Sequence, residues 1–151
     1  MATHVAEIKW AAKESPEEFL KGRFSRAHIV SFDGGTEIPA SASPHVVGKW
    51  AVETAVDPEE MLVASLSSCH MLSFLHLARM AGFTVTAYED HAEGTTEEIA
   101  PKRLAVTKVT LKPKIDWAGA APQKEALDRL HHEAHEICFI ANSVKTQVTV
   151  E

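Results

Sequence analysis

Asp57-Pro-Glu-Glu-Met-Leu-Val-Ala-Ser-Leu-Ser-Ser-Cys-His-Met-Leu-Ser-Phe-Leu-His-Leu-Ala-Arg-Met-Ala-Gly82 is the stretch that decides the fold. Asp57 is a good helix N-cap, Pro58 suits the first helical position, and Glu60 stands three residues after the cap, the spacing of a capping box. Gly82 supplies the stop. Between them apolar side chains, from Met61 and Leu62 through Leu66, Leu72 and Leu75 to Met80, lie on nearly every side of the helix, which predicts that it is buried. In its middle Cys69 stands among Ala64, Ser65, Ser67 and Ser68. Residues this small let a second backbone come close.

Downstream, Phe83–Tyr88 alternates as a strand that extends towards Glu93, residues 94–101 read as a turn, and Arg103–Lys114 reads as the antiparallel partner of that strand. A loop at 116–122 leads to a second helix, Pro122–Ile137, whose apolar stripe is Leu127, Leu130, Ala134 and Ile137. After a turn at Asn142-Ser143 the chain closes with a strand, Val144–Glu151. Upstream, residues 3–11 suggest a first strand, and Ser15-Pro16-Glu17-Glu18 a turn or helix start. Phe24–Phe32 is a strand that ends at the hairpin signal Asp33-Gly34-Gly35. Its return, Thr36–Ala40, is confined to an edge by Pro39 and Pro44, and 41–56 is a polar connection. The order β-β-β-α-β-β-α-β predicts one α+β domain over residues 1–151. One small sheet covers only one side of the central helix, so a second copy of the chain, an intimate homodimer, is expected to cover the rest.

Composition narrows the function. With 151 residues, 45% hydrophobic and 24% charged, the chain can build one sizeable core. A formal net charge of −6 gives nucleic-acid binding no electrostatic support. No signal-peptide pattern opens the sequence, and the central helix carries much Ser, His and Glu for a membrane span. The expectation is a soluble cytoplasmic protein with no nucleic-acid or membrane partner.

Several side chains could carry chemistry. In a reducing compartment Cys69 and Cys138 are unlike a structural staple; they are either two small buried hydrophobes or a reactive pair. A thiolate needs a nearby cation, and Arg23 and Arg26 in the first hairpin are the candidates, Arg26 otherwise reading as a wet-face residue. Glu59 is either a favourable charge at a helix N-terminus or a carboxylate that fixes an arginine. Glu59 and Cys69, ten residues apart, lie roughly 15 Å apart along one helix. They can meet only if two copies of the helix cross antiparallel near residue 64. His131, His135 and Cys138 share a helix face at i, i+4 and i+7, a conceivable zinc face, but wet-face histidines are the plainer reading, and His132-Glu133-Ala134-His135 is one residue short of HExxH. No metal or cofactor is therefore expected. His70 points about 100° from Cys69 and reads, like His76, as a packing or pocket-lining residue. Ser67 and Ser68 lack nucleophile-elbow glycines.

Taken together, Asp57-Pro58-Glu59…Cys69 resembles the Asn/Asp-Pro-Glu…Ala…Cys motif of the OsmC/Ohr family, the osmotically inducible and organic hydroperoxide resistance proteins. His-Glu-Ile-Cys138 followed by a turn and a Val/Thr strand resembles the family's second motif, and Arg26-Ala-His-Ile-Val-Ser-Phe-Asp-Gly-Gly its first hairpin. The resemblance implies an intertwined α+β homodimer with sites at the subunit interface, and a thiol peroxidase that reduces organic hydroperoxides. Cys69 would be the peroxidatic thiol and Cys138 the resolving one, joined as a disulfide during turnover. Arg26, or Arg23 near it, would activate Cys69, and Glu59 would orient the arginine. A dithiol, such as one of lipoyl type, would restore the thiols. Met71, Leu72, Phe74 and Phe139 would favour organic peroxides. Two positions depart from the family's habit: Phe139 where many members have Pro, and His70 where many have an aromatic or apolar residue. The rival reading is a protein of the same fold that binds a hydrophobic small molecule with its cysteines idle.

Overall fold

The computed structural model describes all 151 residues, and the chain divides into two compact units, Met1–Met61 and Leu62–Glu151. In the first, β1 (Ala6–Lys9), β2 (His28–Phe32) and β3 (Glu37–Ala40) form an antiparallel sheet in that order. The β2–β3 hairpin turns at Asp33–Gly35, where Gly35 takes φ 81°, a left-handed value that suits glycine. Pro39 lies within β3, an edge strand of the three, as the missing N–H requires. Helix α1 (Pro16–Leu20) starts on the Ser15 side chain, which accepts the Glu18 N–H. The stretch expected as a plain connection holds a short helix, α2 (Pro44–Val47), and a 3-10 turn at Gly48–Trp50. Ser43 caps α2 and Pro44 opens it, the same serine-proline device that starts α1.

Helix α3 (Pro58–Met80) begins in the first unit and its body belongs to the second. Its capping box forms in both directions: Glu60 N–H donates to Asp57 Oδ1 at 2.7 Å, and Asp57 N–H to Glu60 Oε2 at 2.9 Å. It stops at Gly82, φ 84°, with Phe83 N–H on the Ala78 carbonyl and Gly82 N–H on that of Arg79.

Beyond it, β4 (Thr84–Asp90), β5 (Glu93–Ala100), β6 (Arg103–Leu111) and β7 (Pro113–Ala118) make one long ribbon, β5 on β6 and β4 on β7, both antiparallel. This corrects two expectations. Residues 94–101 are mostly strand, the reversal falling at Pro101-Lys102 (φ 61° at Lys102). Strand 84–90 pairs with 113–118, part of which was expected as loop. The physical reason is that β5 is exposed along nearly its whole length and so carries no apolar alternation. The break between β6 and β7 falls at Lys112, whose N–H leaves the ladder for the Asp90 carboxylate at 2.6 Å. Helix α4 spans Lys124–Ile137, and β8 (Gln147–Val150) adds to β6 in parallel.

Two clusters form the core of this unit. Leu66 packs with Val109 and Leu111, and Phe74 and Ala78 pack with Leu130 and Ala134 of α4. The buried residues of α3 are Leu66, His70, Phe74 and Ala78, one stripe at every fourth position. Ala64, Ser68, Leu72, His76 and Met80 form a second stripe that is exposed, with Leu72 60% and Met80 66% accessible. The helix is thus buried within this chain on one face only, which leaves the other side to be covered from outside the chain.

A thiol pair and a histidine pair between two helices

Cys69 sits mid-way along α3, half-buried, and Cys138 ends α4 as its C-cap, 1% exposed. The chain brings the two free thiols near enough for Cys69 to act on the titration of Cys138. Cys138 is held on several sides: its N–H donates to the His135 carbonyl, its carbonyl accepts from Asn142 N–H at 3.0 Å, and its Sγ accepts from Ala141 N–H at 3.4 Å. The 3-10 turn at Ala141–Ser143 exists because the helix ends here and its last carbonyls find partners in it, Glu136 from Asn142 Nδ2 and Phe139 from Ser143 Oγ. Burial, and then the hydrogen bond to Cys69, push the Cys138 thiol above the ordinary cysteine range.

One residue on, the same helices are joined by imidazoles. His70, 1% exposed, places Nε2 3.0 Å from Nδ1 of His131 on α4, with the rings 7° from parallel and 5.3 Å apart. His131 stacks in turn on Phe74 at 4.4 Å. Burial, then the facing His131 and His135, lower the His70 pKa to about 4 against a weaker opposing pull from Asp90. Burial also lowers that of His131, against Asp128 and Asp90. Nδ1 of His70 has no partner. Asp90 anchors the polar end of this region, accepting from Ser67 Oγ at 2.5 Å as well as from Lys112 N–H.

The other residues singled out in the sequence fall elsewhere. Arg26, in the first unit, is half-buried with its guanidinium 3.4 Å over the Phe24 ring, donating to the Phe24 and Gly22 carbonyls. Arg23 pairs with Glu18 at 3.7 Å. Glu59 lies in the first turn of α3, half-buried. Arg26 and Glu59 form no ion pair with each other within one chain: the guanidinium is spent on the carbonyls of its own loop. Phe74, expected beside the thiols as a peroxide contact, is fully buried in the core instead, whereas Phe139 is 81% exposed. His131 is drawn to His70, and no three His, Cys, Asp or Glu groups gather as metal ligands. The sequence reading missed the His70–His131 contact and Asp90. The signal for the first was a histidine on the buried stripe of one helix and another on the inner side of the next; Asp90 gave none.

A separate cleft of about 600 Å³ opens beside α4, lined by Ile115, Trp117, Leu127, His131, Val148 and Val150 among others; neither thiol reaches it.

Among curated proteins, none matches this chain. The sequence profile of the OsmC-like proteins matches residues 51–151. The chain is similar, over 100% of its length and 99% of the other's, to an OsmC-like protein of unknown function from Vibrio cholerae, with 48% identity and a TM-score of 0.93. It shares its fold with an organic hydroperoxide resistance protein OsmC from Legionella pneumophila (20% identity, 100% and 98% of the two chains, TM-score 0.68). An organic hydroperoxide resistance protein from Elizabethkingia anophelis with bound thiocyanate is alike to the same degree (19%, 100% and 96%, TM-score 0.70). The α+β fold, the long capped helix and the matched residues agree, and the chain belongs to the OsmC/Ohr family of OsmC-like proteins.

Proposed function

We propose that this protein is a cysteine-based peroxidase that reduces organic hydroperoxides to alcohols. The observation that carries the reading is the approach of two free thiols from distant parts of the chain. Their surroundings divide the roles. Cys138 is closed to solvent and its thiol is pushed up, so it is poorly placed to meet a peroxide; Cys69 is half-exposed. The Cys69 thiolate attacks the outer peroxide oxygen, the O–O bond breaks, and the alkoxide leaves as an alcohol after taking a proton. Cys69 is then a sulfenic acid. The Cys138 sulfur displaces its oxygen as water to give the disulfide, and a dithiol such as a lipoyl group returns two electrons and two protons. No cofactor enters these steps. The exposed apolar Leu72 and Phe139, neighbours of the site in sequence, suit an organic substrate.

Arg26 and Glu59 are assigned to activation of Cys69 in an intertwined homodimer, with Glu59 orienting the guanidinium. The exposed stripe of α3 supports such a dimer: its first members, Ala64 and Ser68, are small enough for two helices to cross closely, and Leu72 and Met80 would lose water there. We place the protein in the cytoplasm as a defence against peroxide stress. One equivalent of organic peroxide should remove two hydrogens by mass spectrometry and link Cys69 to Cys138, and Cys69→Ser should abolish consumption of cumene hydroperoxide in the presence of a dithiol. Full activity of Cys69→Ser refutes the proposal. A second reading, binding of a hydrophobic small molecule with idle thiols, has the α4 cleft in its favour; thiols left untouched by the peroxide would select it.

A further inference from the structure

A hydrogen bond between imidazoles ties α4 to α3 beside the two thiols. His131 lies seven positions before Cys138 on α4, about two turns away, and His70 directly follows Cys69 on α3. The buried atoms select one tautomer of the neutral pair. His70 Nδ1 is buried and unpartnered, and a bare ring nitrogen is cheaper to leave so than an N–H. The proton of His70 therefore sits on Nε2 and is donated to Nδ1 of His131, whose own proton is on Nε2. A further proton on either ring leaves the inter-ring bond possible but puts an N–H on His70 Nδ1 with nothing to receive it. The groups that face the pair are His135 and Asp128 from α4 and Asp90 from β4. Asp90 favours a protonated ring, but its two oxygens already hold Ser67 and the Lys112 N–H.

We infer that the His70–His131 hydrogen bond is the positioning element that keeps the end of α4, and with it the Cys138 thiol, near Cys69. His70 and His131 are positioning residues: neither touches the reacting sulfurs. The inference rests on the peroxidase reading for its use, since the step it governs is closure of the disulfide on the Cys69 sulfenic acid, but its test does not need that reading.

Diamide joins two neighbouring thiols, taking up their two hydrogens, whatever the enzyme's natural oxidant. The rate of Cys69–Cys138 cross-linking by diamide should be measured by mass spectrometry in the full-length protein, in His131→Leu and in His131→Gln, with circular dichroism confirming the fold of each. His131→Leu strands a buried donor on His70 and should slow cross-linking roughly tenfold or more near pH 7. In His131→Gln the amide oxygen accepts the same hydrogen bond without titrating, and the rate should stay within about twofold of wild type. A His131→Leu protein that cross-links at the wild-type rate, or a His131→Gln protein as slow as His131→Leu, overturns the inference. If diamide closes the wild-type disulfide with this dependence while organic peroxide does not, the positioning role stands and the peroxidase reading fails.

Discussion

Gly94→Ala is the most quantitative probe of how β5 is laid against the site helix. A Cβ built at Gly94 would stand 2.5 Å from Val63 Cγ2, with Val106 Cγ1 at 3.5 Å and Val109 Cγ2 at 3.8 Å. The backbone of Gly94 is not left-handed, so alanine meets no conformational strain there; the obstacle is the valine. Val63 lies on α3, where a β-branched side chain has one strongly preferred rotamer and cannot swing away. Overpacking of this kind costs about 1–3 kcal/mol. Val63→Ala alone should cost about 1 kcal/mol, since two methyl groups at a half-buried position are lost. In the double variant the new methyl occupies the space that Val63 vacates, so the Gly94 substitution should become neutral or slightly favourable, helped by a less flexible unfolded chain. The predicted coupling is thus about 1–3 kcal/mol, or roughly 2–12 °C in the apparent Tm. Urea unfolding of the four proteins at one fixed protomer concentration measures it. If Gly94→Ala costs the same with and without Val63, the contact between β5 and α3 is not what keeps glycine at this position.

Two further predictions follow from the caps and the histidines. Asp57→Ala removes one arm of the reciprocal bonds to Glu60 and should cost about 1 kcal/mol in thermal or urea unfolding, with Asp57→Asn or Asp57→Ser retaining most of it; an alanine variant as stable as wild type would mean that the box adds nothing. Because His70 is lowered to about 4 from an unfolded value near 6.5, its contribution is fully present above about pH 6.5 and is lost as the pH falls to 4. The loss is up to about 3 kcal/mol, visible as a steeper decline of urea stability over that window than in His70→Gln; equal slopes would show that His70 titrates normally.

The helix ends were legible in the sequence because each signal is local: a cap, a proline and a carboxylate three residues on act within one turn, and they place α3 within a residue at its start. The second helix and the edge character of β3 were read for the same reason. The pairing of 84–90 with 113–118 was not, because it depends on where a long ribbon breaks, and the break is made by a side chain, Asp90, that captures the backbone N–H of Lys112 from across the ribbon. The thiols were legible as candidates by type, and their approach only through family resemblance, since nothing local in either helix records the other. Phe74 was misplaced because an aromatic near a cysteine in sequence can face either way on a helix; here it follows His70 by one turn and so joins the buried stripe.

That stripe also explains why the helix periodicity was uninformative about its surroundings. Leu66, His70, Phe74 and Ala78 lie two positions from Ala64, Ser68, Leu72 and His76, which is about 200° around the axis. Both faces contain large apolar residues, so the sum over the helix has no polar side to point away from the core. A helix with two opposed apolar faces in a chain that covers only one of them has an unmet hydrophobic demand on the other. For a dimer the consequence is specific. A charge at Leu72, 60% exposed in the single chain, should leave monomer secondary structure intact and shift sedimentation towards the monomer, because it is the partner's contact and not the chain's own core that loses an apolar neighbour. If Leu72→Glu sediments as wild type does, the exposed stripe is not the surface on which two copies meet, and the assignment of Arg26 and Glu59 to a shared site loses its physical basis.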